Sequence, residues 1–187
     1  MRSTLELMLE EGYAAVTYRS VAARAGVTAG LVQYYFPVLD DLFIAVLRRS
    51  TDELIERLTV VTAARQPLRA VWAYARDETG TALLLEFMAL ANHRKEVAAV
   101  IGEGGERVRQ AVLANLSAKW SSYGFTDAEL SPRAVLFLLS CIPRMARLEE
   151  NFGTVTGHAE ALDLVERFLD GVEPRSAEQA GRRPRRA

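Results

Sequence analysis

The sequence predicts an all-α fold: a short three-helix module at the N-terminus, then a longer run of helices. Three observations carry this. Residues 17–36 read as two short helices joined by a glycine turn, apolar residues recur at helical spacing through most of the remainder, and no stretch shows strand-like alternation or an internal repeat.

In residues 17–36, Thr17 offers a hydroxyl cap, and Val21, Ala22 and Ala25 lie three and four apart on one face. The small Ala22 and Ala25 leave room for a crossing helix. Gly26 stands where the first helix must end in a left-handed residue. Val27 is expected to plug the corner, Thr28 to cap the second helix, and Val32 to face the core. Helix, glycine turn and capped helix form the helix-turn-helix pattern, whose second helix enters the DNA major groove. Ala29, Gly30, Gln33 and Tyr34 are then left facing outward. A glycine-joined helix pair with no role in DNA binding could share this pattern.

Before this motif, a first helix is expected from about Ser3 to Glu11, with Leu5, Leu9 and Met8 facing inward. Gly12 ends it, and Tyr13 and Val16 pack beneath the helix-turn-helix. The fourth helix runs from about Leu39 to Ala64 along an apolar stripe of Leu42, Phe43, Val46, Leu47, Leu54, Ile55 and Leu58. Asp40 and Asp41 in its first turn suit the positive end of the helix dipole. After Gln66-Pro67 come a helix to about Glu78 and another from Thr81 to about Arg94. Residues 96–122 form an amphipathic segment in which Gly102, Gly104 and Gly105 predict bending or close packing. These glycines fit neither a phosphate loop nor a dinucleotide fingerprint. Ser131-Pro132 starts a helix to about Glu150 that is apolar nearly all round, with a kink expected from Pro143. A last helix, from His158 to about Asp170, presents Ala161, Leu162, Val165, Phe168 and Leu169 on one side. Residues 174–187 hold five arginines against one glutamate, with no apolar periodicity, and predict a disordered basic tail.

Composition limits the function classes. The net charge is −1, so overall charge argues for neither nucleic acid nor membrane. Cys141 is the single cysteine and reads as a small buried hydrophobe in a reducing compartment. The longest apolar run, 134–142, is far short of the roughly 18 residues a bilayer span needs, and the N-terminus lacks a signal-peptide layout. A soluble, cytoplasmic protein is expected. Two histidines, one cysteine and no clustered acid pair give no catalytic or metal spacing, so no enzyme activity and no cofactor are expected.

Gly12-Tyr13, Thr17, Val21-Ala22, Ala25-Gly26-Val27, Gly30, Tyr34-Tyr35-Phe36 and Leu42 resemble the DNA-binding domain of TetR-family repressors over residues 3–48. The resemblance implies a DNA-binding domain at 1–48 and a helical ligand-binding and dimerisation domain at 49–173. Relatives usually carry about two more helical turns ahead of this start, often with basic residues. Either this start is unusual, or the true N-terminus has been lost. By resemblance, Thr17, Arg19, Thr28 and Tyr35 contact phosphates, while Ala29, Gly30, Leu31, Gln33 and Tyr34 face the bases. Gln33 stands where the family more often has tyrosine, and glutamine can pair bidentately with adenine. The family's usual phosphate-binding lysine is replaced by Leu39.

The first fifty residues balance five arginines (Arg2, Arg19, Arg24, Arg48, Arg49) against five acids (Glu6, Glu10, Glu11, Asp40, Asp41). A shallow salt dependence is therefore expected for binding to double-stranded operator DNA. One such module buries little surface, so a homodimer through the last two helices on a palindromic site is expected. In the family the middle helices enclose a cavity for a small-molecule effector. Trp72, Phe87, Leu90, Phe137 and Met145 would line it, with Cys141, while Glu86, His93 and Arg144 would supply polar anchors. The sequence reads best as a ligand-released repressor. The alternative is a helical dimeric module that has lost specific DNA binding.

Overall fold

The computed structural model describes residues 1–126 and 129–175. Within them the chain forms nine α-helices and no strand. The described residues divide into two units, residues 1–60 with 77–112 and residues 61–76 with those from 113 onward. Residues 176–187, most of the expected basic tail, lie outside the described residues.

The first unit begins with α1 (Arg2–Glu11), followed by a 3-10 turn at Tyr13–Ala15. Leu7 and Met8 of α1 are buried and Leu5 packs partly, whereas Leu9 is exposed, one position off the expected face. Helix α2 (Tyr18–Ala25) opens with a reciprocal capping box in which Thr17 and Ser20 satisfy each other's backbone N–H groups. It closes on Gly26 at φ 70°, ψ 32°, a left-handed conformation that any side chain would strain. Helix α3 (Ala29–Tyr35) is capped by Thr28, whose hydroxyl accepts the Leu31 N–H. Val32 is the buried residue of α3, and Val27, expected in the corner, is exposed. After a 71° bend, α4 (Leu39–Thr62) carries Leu42, Phe43, Val46 and Leu47 into the same core.

Two further helices complete this unit. Helix α6 (Glu78–Ala91) starts earlier than the sequence suggested, because the Asp77 carboxylate accepts the Gly80 N–H at 2.6 Å and nucleates the turn there. Its Phe87 and Leu90 belong to the core that holds the helix-turn-helix. Helix α7 (Lys95–Trp120) runs unbroken through its three glycines. Gly104 is a close approach: a Cβ there would lie 3.0 Å from the Thr51 hydroxyl of α4, whereas Gly102 faces open space.

In the second unit α5 (Pro67–Ala75) packs on α8 (Pro132–Glu150), and α8 packs on α9 (His158–Val172). Helix α8 continues through Pro143, whose missing N–H leaves the Leu139 carbonyl without its usual intrahelical donor. Its inner face is Val135, Leu136, Leu139, Pro143 and Ala146. Glu173, immediately after α9, is buried and caps α5: its carboxylate accepts the Leu68 and Arg69 N–H groups at 3.1 and 2.9 Å. No single helix among the described residues is long and apolar enough to cross a membrane.

Candidate nucleic-acid interface

Burying Val32 fixes the roll of α3 and thereby decides which residues point outward. Gly30, Leu31, Gln33, Tyr34 and Tyr35 are all exposed, with Tyr34 at 77% and Tyr35 at 68%. The two tyrosine rings sit edge to face with centroids 5.3 Å apart, which stiffens a pair otherwise free in solvent. Ala29 is half-buried against the core. Thr17 and Arg19 at the start of α2 and Thr28 at the start of α3 are exposed. The backbone N–H groups of those first turns, like those of any helix start, carry partial positive charge.

Two residues that sequence reasoning passed over hold this surface in place. Tyr18 donates its hydroxyl to the carbonyls of Phe36 and Pro37, at 2.9 and 3.0 Å, fastening the C-terminal end of α3 to α2. Ser20 donates to the Ala15 carbonyl at 2.7 Å, fixing α2 on the preceding turn. Ser20 was legible as the fourth residue of a capping box; the reach of Tyr18 had no local signal.

Charge at the surface is sparse. Arg24 pairs with Glu10 at 2.7 Å and with Glu11 at 3.4 Å, and Arg49 pairs with Glu53 at 2.8 Å. Arg94 pairs with Asp40 at the start of α4, while the Asp41 carboxylate accepts the Val38 N–H at 3.2 Å.

The residues set aside for an effector fall in both units. In the first, the Glu86 carboxylate accepts the Tyr13 N–H at 2.7 Å, so its partner is the corner before the helix-turn-helix. Phe87 and Leu90 are core, and His93 is exposed in the α6–α7 turn. In the second unit, Trp72 is buried and donates its indole N–H to Glu166 at 2.8 Å. The Arg144 guanidinium lies 5.6 Å from the centre of the Tyr74 ring. Cys141 is half-buried, and Phe137 and Met145 are each 54% exposed on the outward side of α8. No group of metal-ligating side chains occurs among the described residues.

Residues 1–46 match the family model of bacterial regulatory proteins, tetR family. An uncharacterized HTH-type transcriptional regulator of Mycobacterium tuberculosis is 29% identical over 126 residues, which cover 64% of this chain and 60% of that protein. The corresponding regulator of Mycobacterium bovis gives the same figures. This chain thus spans 60% of the length of these relatives. Among solved structures, a transcriptional regulator from Rhodococcus sp. Rha1 superposes with a TM-score of 0.65 at 23% identity, covering 94% of this chain and 96% of that one. A TetR-family regulator from Mesorhizobium loti, described as putative, gives 0.62 at 19% identity, covering 92% and 90%. At these identities the structural likeness establishes the fold.

Proposed function

We propose that this chain, whose residues 1–46 match the tetR family model, is a homodimeric repressor of the TetR family that binds a palindromic operator and is released by a small molecule. The observation that carries the DNA reading is the outward face of α3, with Gln33, Tyr34 and Tyr35 exposed on a helix that Val32, Tyr18 and Thr28 hold in one orientation. Gln33 and Tyr34 read base edges, with Gly30 and Leu31 beside them. Thr17, Arg19, Thr28 and the Tyr35 hydroxyl hold phosphates. With Arg24 engaged by two glutamates, few free cations remain, and binding falls gently with salt.

The dimer reading is supported by α8 and α9. Phe137, Leu138 and Met145 share one exposed side of α8, and Leu164 of α9 is exposed as well. An apolar face of this kind on two neighbouring helices is suited to a two-fold mate. Effector release is supported by the bonds α6 makes in the first unit, Glu86 to the Tyr13 N–H and, just beyond α6, Arg94 to Asp40. A displacement of α6 would reach the helix-turn-helix through both. Arg144 is the residue we retain for effector contact.

Selection from a random DNA pool tests the reading. Enrichment of a two-fold symmetric site, with half-sites about one helical turn apart or a multiple of it, is expected. A pool that stays random after repeated rounds would overturn it.

A further inference from the structure

A groove of about 1220 Å³ opens in the second unit, among α5 and the ends of α4, α7 and α9. Its walls carry Arg65, Arg69, Arg76, Lys119 and Arg175 against two carboxylates, Glu166 and Glu173. Asp170, bonded to Arg69 and Arg175, adds a third acid and leaves an excess of two positive charges.

The acids in this groove are committed. Glu173 accepts two N–H groups of α5 and the Tyr123 hydroxyl. Glu166 accepts the Trp72 indole at 2.8 Å and Arg76 at 3.1 Å, and it also pairs with Arg69 and Arg175. Donors on the cations remain. Arg65 is exposed and pairs with no carboxylate among the described residues. Lys119 donates to a backbone carbonyl and sits 5.9 Å from the Tyr123 ring, and it pairs with no carboxylate among the described residues. The Arg76 guanidinium lies 5.7 Å from the Trp72 ring centre and offers Glu166 a single nitrogen. Val61, Ala73 and Val172 add apolar lining to the same groove.

Unsatisfied cationic donors beside an apolar floor match one ligand chemistry, an acidic head group on an apolar body. We propose that this groove binds organic anions of that class, with Arg65, Lys119 and Arg76 holding the acid group. Residues 176–187, which follow Arg175, hold four arginines and one glutamate, so like-charge repulsion disfavours them as the occupant. The site is argued apart from operator release and is tested on protein without DNA.

The probe is 8-anilinonaphthalene-1-sulfonate, titrated by fluorescence into the full chain, with uncharged N-phenyl-1-naphthylamine as its neutral counterpart. The sulfonate should bind the wild type more tightly than the neutral dye. Arg65→Glu should weaken the sulfonate about tenfold while leaving the neutral dye unchanged. Lys119→Gln, which keeps a donor for the Arg65 carbonyl, should act in the same direction. Arg133→Glu, on α8 and away from the groove, should change neither, and melting curves establish that each variant is folded. The proposal is overturned if the sulfonate fails to bind, if Arg65→Glu leaves it unchanged, if Arg133→Glu weakens it equally, or if the neutral dye binds as tightly.

Discussion

Replacing Glu86 by alanine tests whether α6 is part of the machinery that holds the DNA-binding helices. The Glu86 carboxylate accepts the Tyr13 N–H at 2.7 Å, in a half-buried corner where Gly12 turns the chain at φ 81°. Alanine removes a charged acceptor and strands the amide. A hydrogen bond to a charged group contributes about 1.5–3 kcal/mol net, so a loss of about 2 kcal/mol is expected. For a chain of this size that lowers the melting temperature by about 4–8 °C. Glu86→Gln keeps an acceptor without the charge and should lose about half as much. Thermal and urea denaturation of the three proteins measure this directly. A Glu86→Ala protein that melts within about 1 °C of wild type would refute the reasoning. It would return Glu86 to the role of an effector anchor.

Other outcomes follow from named residues. Gly102→Ala, in open space on α7, should stabilise by up to about 1 kcal/mol through helix propensity; Gly104→Ala, whose Cβ meets Thr51 at 3.0 Å, should fall short of it by about that amount or destabilise, as paired urea melts would reveal. Burial, and then the bond to Glu173, push the Tyr123 hydroxyl well above the ordinary tyrosine range, so the folded state holds it neutral while the unfolded state ionises near pH 10. Its contribution to stability is therefore complete below about pH 10 and lost above it, more steeply than in Tyr123→Phe, and an alkaline absorbance titration should show one tyrosine that ionises only on unfolding. Glu166 is opposite in sign: burial alone would raise its carboxyl, but the Trp72 indole, Arg175 and Arg76 together hold it below the usual range, so its stabilisation is present above about pH 4.5 and lost as acid protonates it, which acid titration of wild type against Glu166→Gln would measure. Gln33→Ala should relax selection at one base position per half-site, and the log–log salt slope of the wild type should be no steeper than about −6, both measurable by mobility shift.

The helix-turn-helix was legible because its determinants are local. Thr17, Gly26 and Thr28 act within three or four residues of themselves, and Val32 announces its own burial by spacing. The start of α6 was misplaced by three residues because Asp77 was passed over as a cap. Long-range polar partners left no trace in the sequence. Glu86 meets Tyr13 across 73 positions and Glu173 meets α5 across more than 100. The same limit hid the groove, whose cations come from residues 65–76, 119 and 175. Phe137 and Met145 looked like cavity lining because α8 is apolar nearly all round, and apolarity alone does not tell a buried face from one that faces outward.

The account rests on α3 lying in the major groove in two copies. The direct measurement is a methylation-protection footprint on the selected operator, reading guanine N7 in the major groove against adenine N3 in the minor. Two major-groove patches about 34 Å apart, both lost in Tyr34→Ala, are expected. A single patch, or protection confined to the minor groove, would contradict it.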